Sequence, residues 1–338
     1  MPSLELILAL AMLVSLTFYV LMGGADYGGG VWDLLATGPR AKAQRELIAE
    51  AIGPIWEANH VWLILVIVVL FTAFPAAFAL ITTVLHIPLT LMLIGIVLRG
   101  SAFTFRTYDS RQDDVQRRWG RVFSSASLVT PILLGITVGA ISSGDIRSPA
   151  HDFMSVFVWP WLQPFPIAVG LLALVLFAFL AAVYLTLDTA EDAQLQDDFR
   201  RRALISWAVA AIVAVAVFFL ARTEAPDLWH HLQQSWHLHV AAAVLAAAAV
   251  WTLFKRSYGI ARVCAIGQVT FILWGWAAAQ YPYLVRPDLT IFNAAGPHST
   301  LTLLVMALCA GALLLFPSFW YLLTVFKTRH AASESDTK

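Results

Sequence analysis

Charge is scarce in this chain. Asp, Glu, Lys and Arg together make up 12% of its 338 residues, about half of the roughly 25% typical of soluble domains. Lys plus Arg and Asp plus Glu balance at 21 each, so no basic surface for nucleic acid is expected. Cysteine is nearly absent as well. The two present, Cys264 and Cys309, lie in separate apolar stretches and outside any CxxC or CxxCH pattern, which leaves disulfide, zinc and covalent c-haem readings without support. No hydrophilic stretch is long enough for a soluble domain. The first apolar run lacks a basic leader and a cleavage site and exceeds a signal-peptide core, so it reads as a retained span.

What remains is apolar: 60% of residues are hydrophobic and mean hydropathy is +0.76. A membrane crossing needs ~20 such residues. About nine candidates appear, at 4–24 (continuing to about 36), 54–74, 76–98, 122–141, 161–187, 203–221, 238–254, 260–281 and 300–326. The expected fold is all-α: a polytopic membrane protein of about nine transmembrane helices in bundles, forming a single integral domain over 1–327 with a polar tail at 328–338. Of the 21 Lys and Arg, all but Arg147, Arg222 and Arg286 fall on one side of this topology. The positive-inside rule then puts the N-terminus outside and the C-terminus in the cytoplasm.

Ionisable groups within such spans are costly, at least ~2.5 to 3.5 kcal/mol on insertion scales, and usually mark function. The stretch Gly53-Pro-Ile-Trp56-Glu57-Ala-Asn59-His60-Val-Trp62 carries an acid, an amide and an imidazole into an apolar helix. Pro54 suits a first helical turn. Helical spacing groups Trp56, Asn59 and His60 on one face with Glu57 beside it. A second acid, Asp26, lies in Gly23-Gly-Ala-Asp-Tyr-Gly-Gly-Gly30, where dense glycine suggests close helix approach or a local break. The span over 76–98 places His86 and Pro88 at mid-depth and ends at Arg99. Counting ~1.5 Å per residue puts Asp26, Glu57 and Arg99 at similar depth toward the cytoplasm, where two carboxylates and a guanidinium can meet. The bland alternative is a satisfied polar cluster that locks helix packing. Trp229-His-His231 and Trp236-His-Leu-His239 read as interfacial anchors, and no metal site is assigned to them.

Several of these motifs resemble subunit II of the cytochrome bd-type quinol oxidases, the cyanide-insensitive type included. They are Gly24-Ala-Asp26-Tyr-Gly28, Pro54-Ile-Trp56-Glu57-Ala-Asn59-His-Val-Trp62, Phe74-Pro75, Arg99, and Tyr281-Pro-Tyr283 ahead of Ser299-Thr-Leu301. The resemblance implies a nine-helix subunit of a bacterial inner-membrane complex that oxidises ubiquinol or another quinol and reduces dioxygen to water. Haems b558, b595 and d would belong to the partner, subunit I, and none to this chain. It also implies a proton path through Asp26, Glu57 and Arg99, supported by Trp56, Asn59 and His60. Two positions depart from the family pattern: the acid after Trp56 is Glu57 where some relatives have Asp, and Gly23 stands where some carry another Asp. The quinol type, a small accessory subunit, a structural quinone and contacts with lipids are left open. The competing readings are a purely structural scaffold and a proton-coupled transporter.

Overall fold

The chain folds as a helical bundle in a computed structural model that describes residues 3–52, 56–108, 113–146 and 152–335. In order the helices are α1 (Leu4–Phe18), α2 (Gly24–Leu34), α3 (Ala41–Ile52), α4 (Trp56–Ala73), α5 (Pro75–Val84), α6 (His86–Tyr108), α7 (Asp113–Ser143) and α8 (Phe153–Phe157). They continue with α9 (Trp159–Leu162), α10 (Pro164–Asp188), α11 (Ala193–Glu224), α12 (Pro226–Gln234), α13 (Trp236–Phe254), α14 (Tyr258–Gln280) and α15 (His298–Ser335). A π-helical turn, Tyr19–Gly23, joins α1 to α2 without ending the span. Between α14 and α15 a small antiparallel hairpin pairs β1 (Tyr283–Val285) with β2 (Leu289–Thr290), Tyr283 opposite Thr290.

Among the described residues eight helices are long and apolar enough to cross a membrane, and Asn59–Ala73 with Pro75–Val84 forms a ninth candidate bent by 116°. The expected span over 76–98 is therefore displaced. Pro75 cannot continue a helix, because its ring crowds the preceding residue and it offers no N–H. Phe74 accordingly leaves helical geometry (φ −130°, ψ 59°) and Pro75 opens the short α5 in its first turn. The third crossing starts only at His86. His86 and Pro88 thus sit at its beginning, not at mid-depth, and His86 Nδ1 lies 2.9 Å from the Thr83 carbonyl oxygen.

The packing centre is α10. From Leu176 to Val183 every residue is buried, the mark of a helix enclosed on all sides, and it contacts α2, α7, α11 and α14. Small residues allow this crowding. A Cβ placed on Gly28 of α2 would come within 2.0 Å of the Phe177 carbonyl oxygen, and one on Gly135 of α7 within 2.7 Å of Gly170 Cα on α10. The helices therefore approach backbone to backbone. At the end of the bundle poor in basic residues, Arg286 is 2% exposed and ties the hairpin down. Its backbone N–H donates to the Ile141 carbonyl at 3.1 Å, its Nε donates to Gln280 Oε1 at 3.3 Å, and its Nη2 donates to the Ala279 carbonyl. Burial lowers the Arg286 pKa below the usual arginine value.

Gly28→Val should lower the melting temperature and yield of the assembled protein, since overpacking costs about 1–3 kcal/mol even where some shift is possible. Gly259→Ala, with nothing within 4 Å of the added carbon, should leave both unchanged. Thermal unfolding of purified material checks the pair.

Candidate functional site

The close approach of α2 to α10 carries Asp26 and Tyr27 into the bundle. Asp26 is 5% exposed, Asn59 1% and Arg99 2%, so three of the residues singled out from the sequence are buried together with their polar groups inward. Asn59 Nδ2 donates a hydrogen bond to Asp26 Oδ2. This bond links the first crossing to the second. A buried carboxylate without such a donor would lose its hydration uncompensated, which makes the amide a structural requirement as well as a chemical partner. Asn59 Oδ1 has no hydrogen-bond partner among the described residues.

Arg99 reaches the same region from the third crossing. Its Nε donates to Ser127 Oγ on α7 at 3.1 Å, and its guanidinium carbon lies 4.7 Å from the Tyr27 ring centre and 5.1 Å from that of Phe123. Such placement over ring faces is favourable for a cation out of water. Arg99 acts electrostatically on the Asp26 carboxylate but makes no direct salt bridge with it among the described residues, and its Nη2 is buried without an acceptor. Between Asp26 and Arg99 the expected meeting is thus an electrostatic one, with the guanidinium over the ring of Tyr27, the residue next to Asp26. The Tyr19 hydroxyl donates to the Tyr27 hydroxyl at 3.3 Å. The His60 ring centre lies 6.2 Å from that of Tyr19 and 6.4 Å from that of Tyr27. The side chains of Trp56 and Glu57 lie outside the described residues. Their place in the chain is the first turn of α4, just ahead of Asn59.

A further acid was not singled out from the sequence. Asp33 follows Asp26 by seven residues, which on a helix is about two turns or ~10 Å along the same face, and it is 4% exposed. Ser124 Oγ donates to Asp33 Oδ2 at 2.8 Å. Ser124 and Ser127 stand one turn apart on α7, so this helix presents hydroxyls first to Asp33 and then to Arg99. Arg45 closes the end of α2, donating to the Ala36 carbonyl at 2.9 Å and to the Asp33 carbonyl at 3.3 Å, as basic groups do at helix C-termini. The i, i+7 spacing of two acids and the i, i+3 spacing of two serines were the available signals.

His60 belongs to the polar compartment in the first half of α4, while His86 lies beyond the bend, edge-on to Phe157 at 5.2 Å. Bridging one haem plane needs two ligands at matching depth. No group of three His, Cys, Asp or Glu that could hold a metal ion occurs among the described residues.

Fold and site together define a polytopic helical membrane protein with an ionisable compartment built by its first three crossings and α7. The family model for cytochrome bd terminal oxidase subunit II matches residues 4–326. A putative cytochrome bd menaquinol oxidase subunit II of Bacillus subtilis (strain 168) is 24% identical over 340 residues, covering 96% of each chain. The cytochrome bd-I ubiquinol oxidase subunit 2 of Escherichia coli (strain K12) is 26% identical over 214 residues, which span 62% of this chain and 53% of that one. In the structure of bd oxidase from Geobacillus thermodenitrificans, one chain is similar with a TM-score of 0.81 at 24% identity, covering 96% of this chain and 99% of that one. The chain belongs to the family of cytochrome bd terminal oxidase subunit II. It is a subunit of a bd-type terminal oxidase, and the transporter reading gains no support.

Asn59→Ala should destabilise the assembled protein by about 1.5–3 kcal/mol, the usual size of a lost hydrogen bond to a charged group. Adding Asp26→Asn should recover most of that loss by removing the stranded charge. Thermal unfolding of the single and double variants reads the coupling.

Proposed function

We propose that this chain is the haem-free subunit of a bd-type quinol oxidase in a bacterial inner membrane. It supports the haem-bearing subunit I, where haems b558, b595 and d reside, and conducts protons from the cytoplasmic side toward the oxygen-reducing centre. The relatives' names carry menaquinol in one case and ubiquinol in another, so the substrate class is a membrane quinol. The observation that carries the reading is the buried Asp26–Asn59 pair beside Arg99, at the end of the bundle where basic residues gather. Positive-inside bias makes that end cytoplasmic.

Each group has a chemical part. Asp33, nearest the basic end, and its partner Ser124 form the entrance. Ser127 and the Arg99 guanidinium pass the electrostatic influence of a cation to the Asp26 carboxylate. Asp26 takes up and gives up the proton at its Oδ atoms, with Asn59 holding the carboxylate in register. Glu57 is the relay beyond it, one helical turn from His60. His60, beside the rings of Tyr19 and Tyr27, supports this stretch, and the family resemblance gives Trp56 a supporting part as well. Asp33 and Asp26 stand ~10 Å apart along α2, so a proton passes between them through intervening water, while the fixed charge of Arg99 favours the ionised carboxylate. The haem-free role is supported by His60 and His86 lying on either side of the bend between α4 and α5.

A purely structural role is the rival, and the Asn59 bond to Asp26 is what favours it, since it also pins two crossings together. Glu57→Gln and Asp26→Asn, each made in the complete oxidase, distinguish the two. If the chain conducts protons, both variants keep the haem absorption bands while quinol-driven oxygen consumption falls at least tenfold, in keeping with the ~10²–10⁴ contributed by a positioned proton-transfer group. Unchanged consumption with intact haem bands would assign the cluster to packing. Asp33→Asn should give a smaller loss than Asp26→Asn, partly relieved at lower pH as the proton supply rises, as read from the pH profile of oxygen uptake.

A further inference from the structure

The strongest feature not absorbed by the proton path lies where the α2–α3 connection meets the first turns of α11 and the α13–α14 turn. Five guanidiniums, from Arg40, Arg200, Arg201, Arg202 and Arg256, gather there around the carboxylates of Asp197 and Asp198. Asp198 is engaged by Arg40 through bonds of 2.7 and 2.8 Å and accepts a third from Gln44 Nε2 at 2.9 Å. Asp197 is shared by Arg200, Arg256 and Arg201 at 3.0, 3.3 and 3.4 Å. Asp192 adds negative charge nearby, but its Oδ1 is used by the backbone N–H groups of Gln194 and Leu195 as the α11 cap. Positive charge remains in excess.

Arg202 differs from the others in having no carboxylate bonded to it among the described residues. Its Nη2 donates to Gln44 Oε1 at 2.6 Å, its guanidinium carbon rests 5.2 Å from the Trp32 ring centre and 5.3 Å from that of Phe199, and its Nη1 is buried without an acceptor. The fork is therefore held rigidly but incompletely satisfied. Arg256 adds a second sign of deliberate placement: its backbone has φ 58°, a left-handed geometry that favours glycine. Two adjoining clefts of about 230 and 280 Å³ open among these side chains, both bordered by Arg40, Asp198 and Arg201.

The surroundings indicate what kind of molecule would fill them. Beyond Arg201, at successive helical turns of the same α11 face, Ile205, Val209 and Ile212 are 63%, 39% and 70% exposed. A track of apolar side chains thus leads from the clefts along the flank of a membrane-spanning helix. Leu34 and Leu35, at the end of α2, are also exposed. A free anion would use the guanidiniums and leave the track bare, whereas a molecule with an anionic head and acyl chains uses both. We propose that these clefts bind the phosphate head of an anionic phospholipid, with its acyl chains lying along α11. Guanidinium forks suit phosphate oxygens, and basic pockets at helix ends are suitable sites for anionic lipid heads.

The test uses the complete oxidase. Arg201 and Arg40 have side chains 73% and 42% exposed, so Arg201→Glu and the double variant Arg40→Gln with Arg201→Gln should fold. Native mass spectrometry after detergent washing should find phosphatidylglycerol retained by the unaltered complex and reduced roughly tenfold in both variants, with haem bands and oxygen consumption unchanged. In nanodiscs, adding phosphatidylglycerol to phosphatidylcholine should raise the melting temperature of the unaltered complex and not of the variants. Equal retention in all three proteins, or retention of phosphatidylcholine to the same extent, would overturn the proposal. Stabilisation by inorganic phosphate in pure phosphatidylcholine discs, with none from phosphatidylglycerol, would overturn it in favour of a soluble anion.

Discussion

The bundle depends on how closely α2 can lie against α10. At Gly28 no side chain larger than hydrogen is possible, because the Phe177 carbonyl occupies the space a Cβ would need. This contact does more than pack two helices. By removing side chains from one face of α2, it fixes the rotation that turns Asp26 toward Asn59 and Asp33 toward Ser124. In a bilayer there is no difference in hydrophobicity to drive helices together, so van der Waals fit between small residues and a few internal hydrogen bonds must suffice. Here both operate on one helix, with Gly24 and Gly28 on one face and the carboxylates of Asp26 and Asp33 on the other.

The polar compartment is economical in its use of donors. Asp26 is held by one amide, Arg99 by one hydroxyl and two ring faces, and the nitrogen and oxygen atoms left over on Arg99 and Asn59 stay buried without partners among the described residues. A purely structural cluster gains most when every group is satisfied. The arginines at the basic end follow the same economy on a larger scale, with three of them sharing Asp197.

Much of this was legible before any coordinates. Hydropathy alone marked the crossings, since runs of ~20 apolar residues have few other uses, and Asp26, Asn59 and Arg99 stood out because ionisable and amide groups are rare in such runs. Hydropathy does not record direction, so the 116° turn at Phe74–Pro75 was invisible to it and α5 was merged with the crossing that begins at His86. Pro75, in the gap between the expected spans over 54–74 and 76–98, is the first residue of a separate short helix. Tyr27, Ser124 and Ser127 escaped notice because hydroxyls are common in membrane helices, where they can bond their own backbone; Ser124 Oγ also lies 2.9 Å from the Gly120 carbonyl. Only contact across helices distinguishes a serine that bonds an acid from one that does not. Arg202 fell just outside the expected span over 203–221, whereas α11 already begins at Ala193 and carries it against Trp32.

The π-helical turn at Tyr19–Gly23 gives the first crossing two sets of neighbours. Its outer half, α1, packs against α4 and α15, while its inner half, α2, packs against α10 and α7. An added residue in one turn re-aims everything that follows, much as a stutter does in a coiled coil. A single uninterrupted strand of chain therefore acts as the seam between two groups of helices. Each group of helices takes part of its packing surface from its own half of that seam.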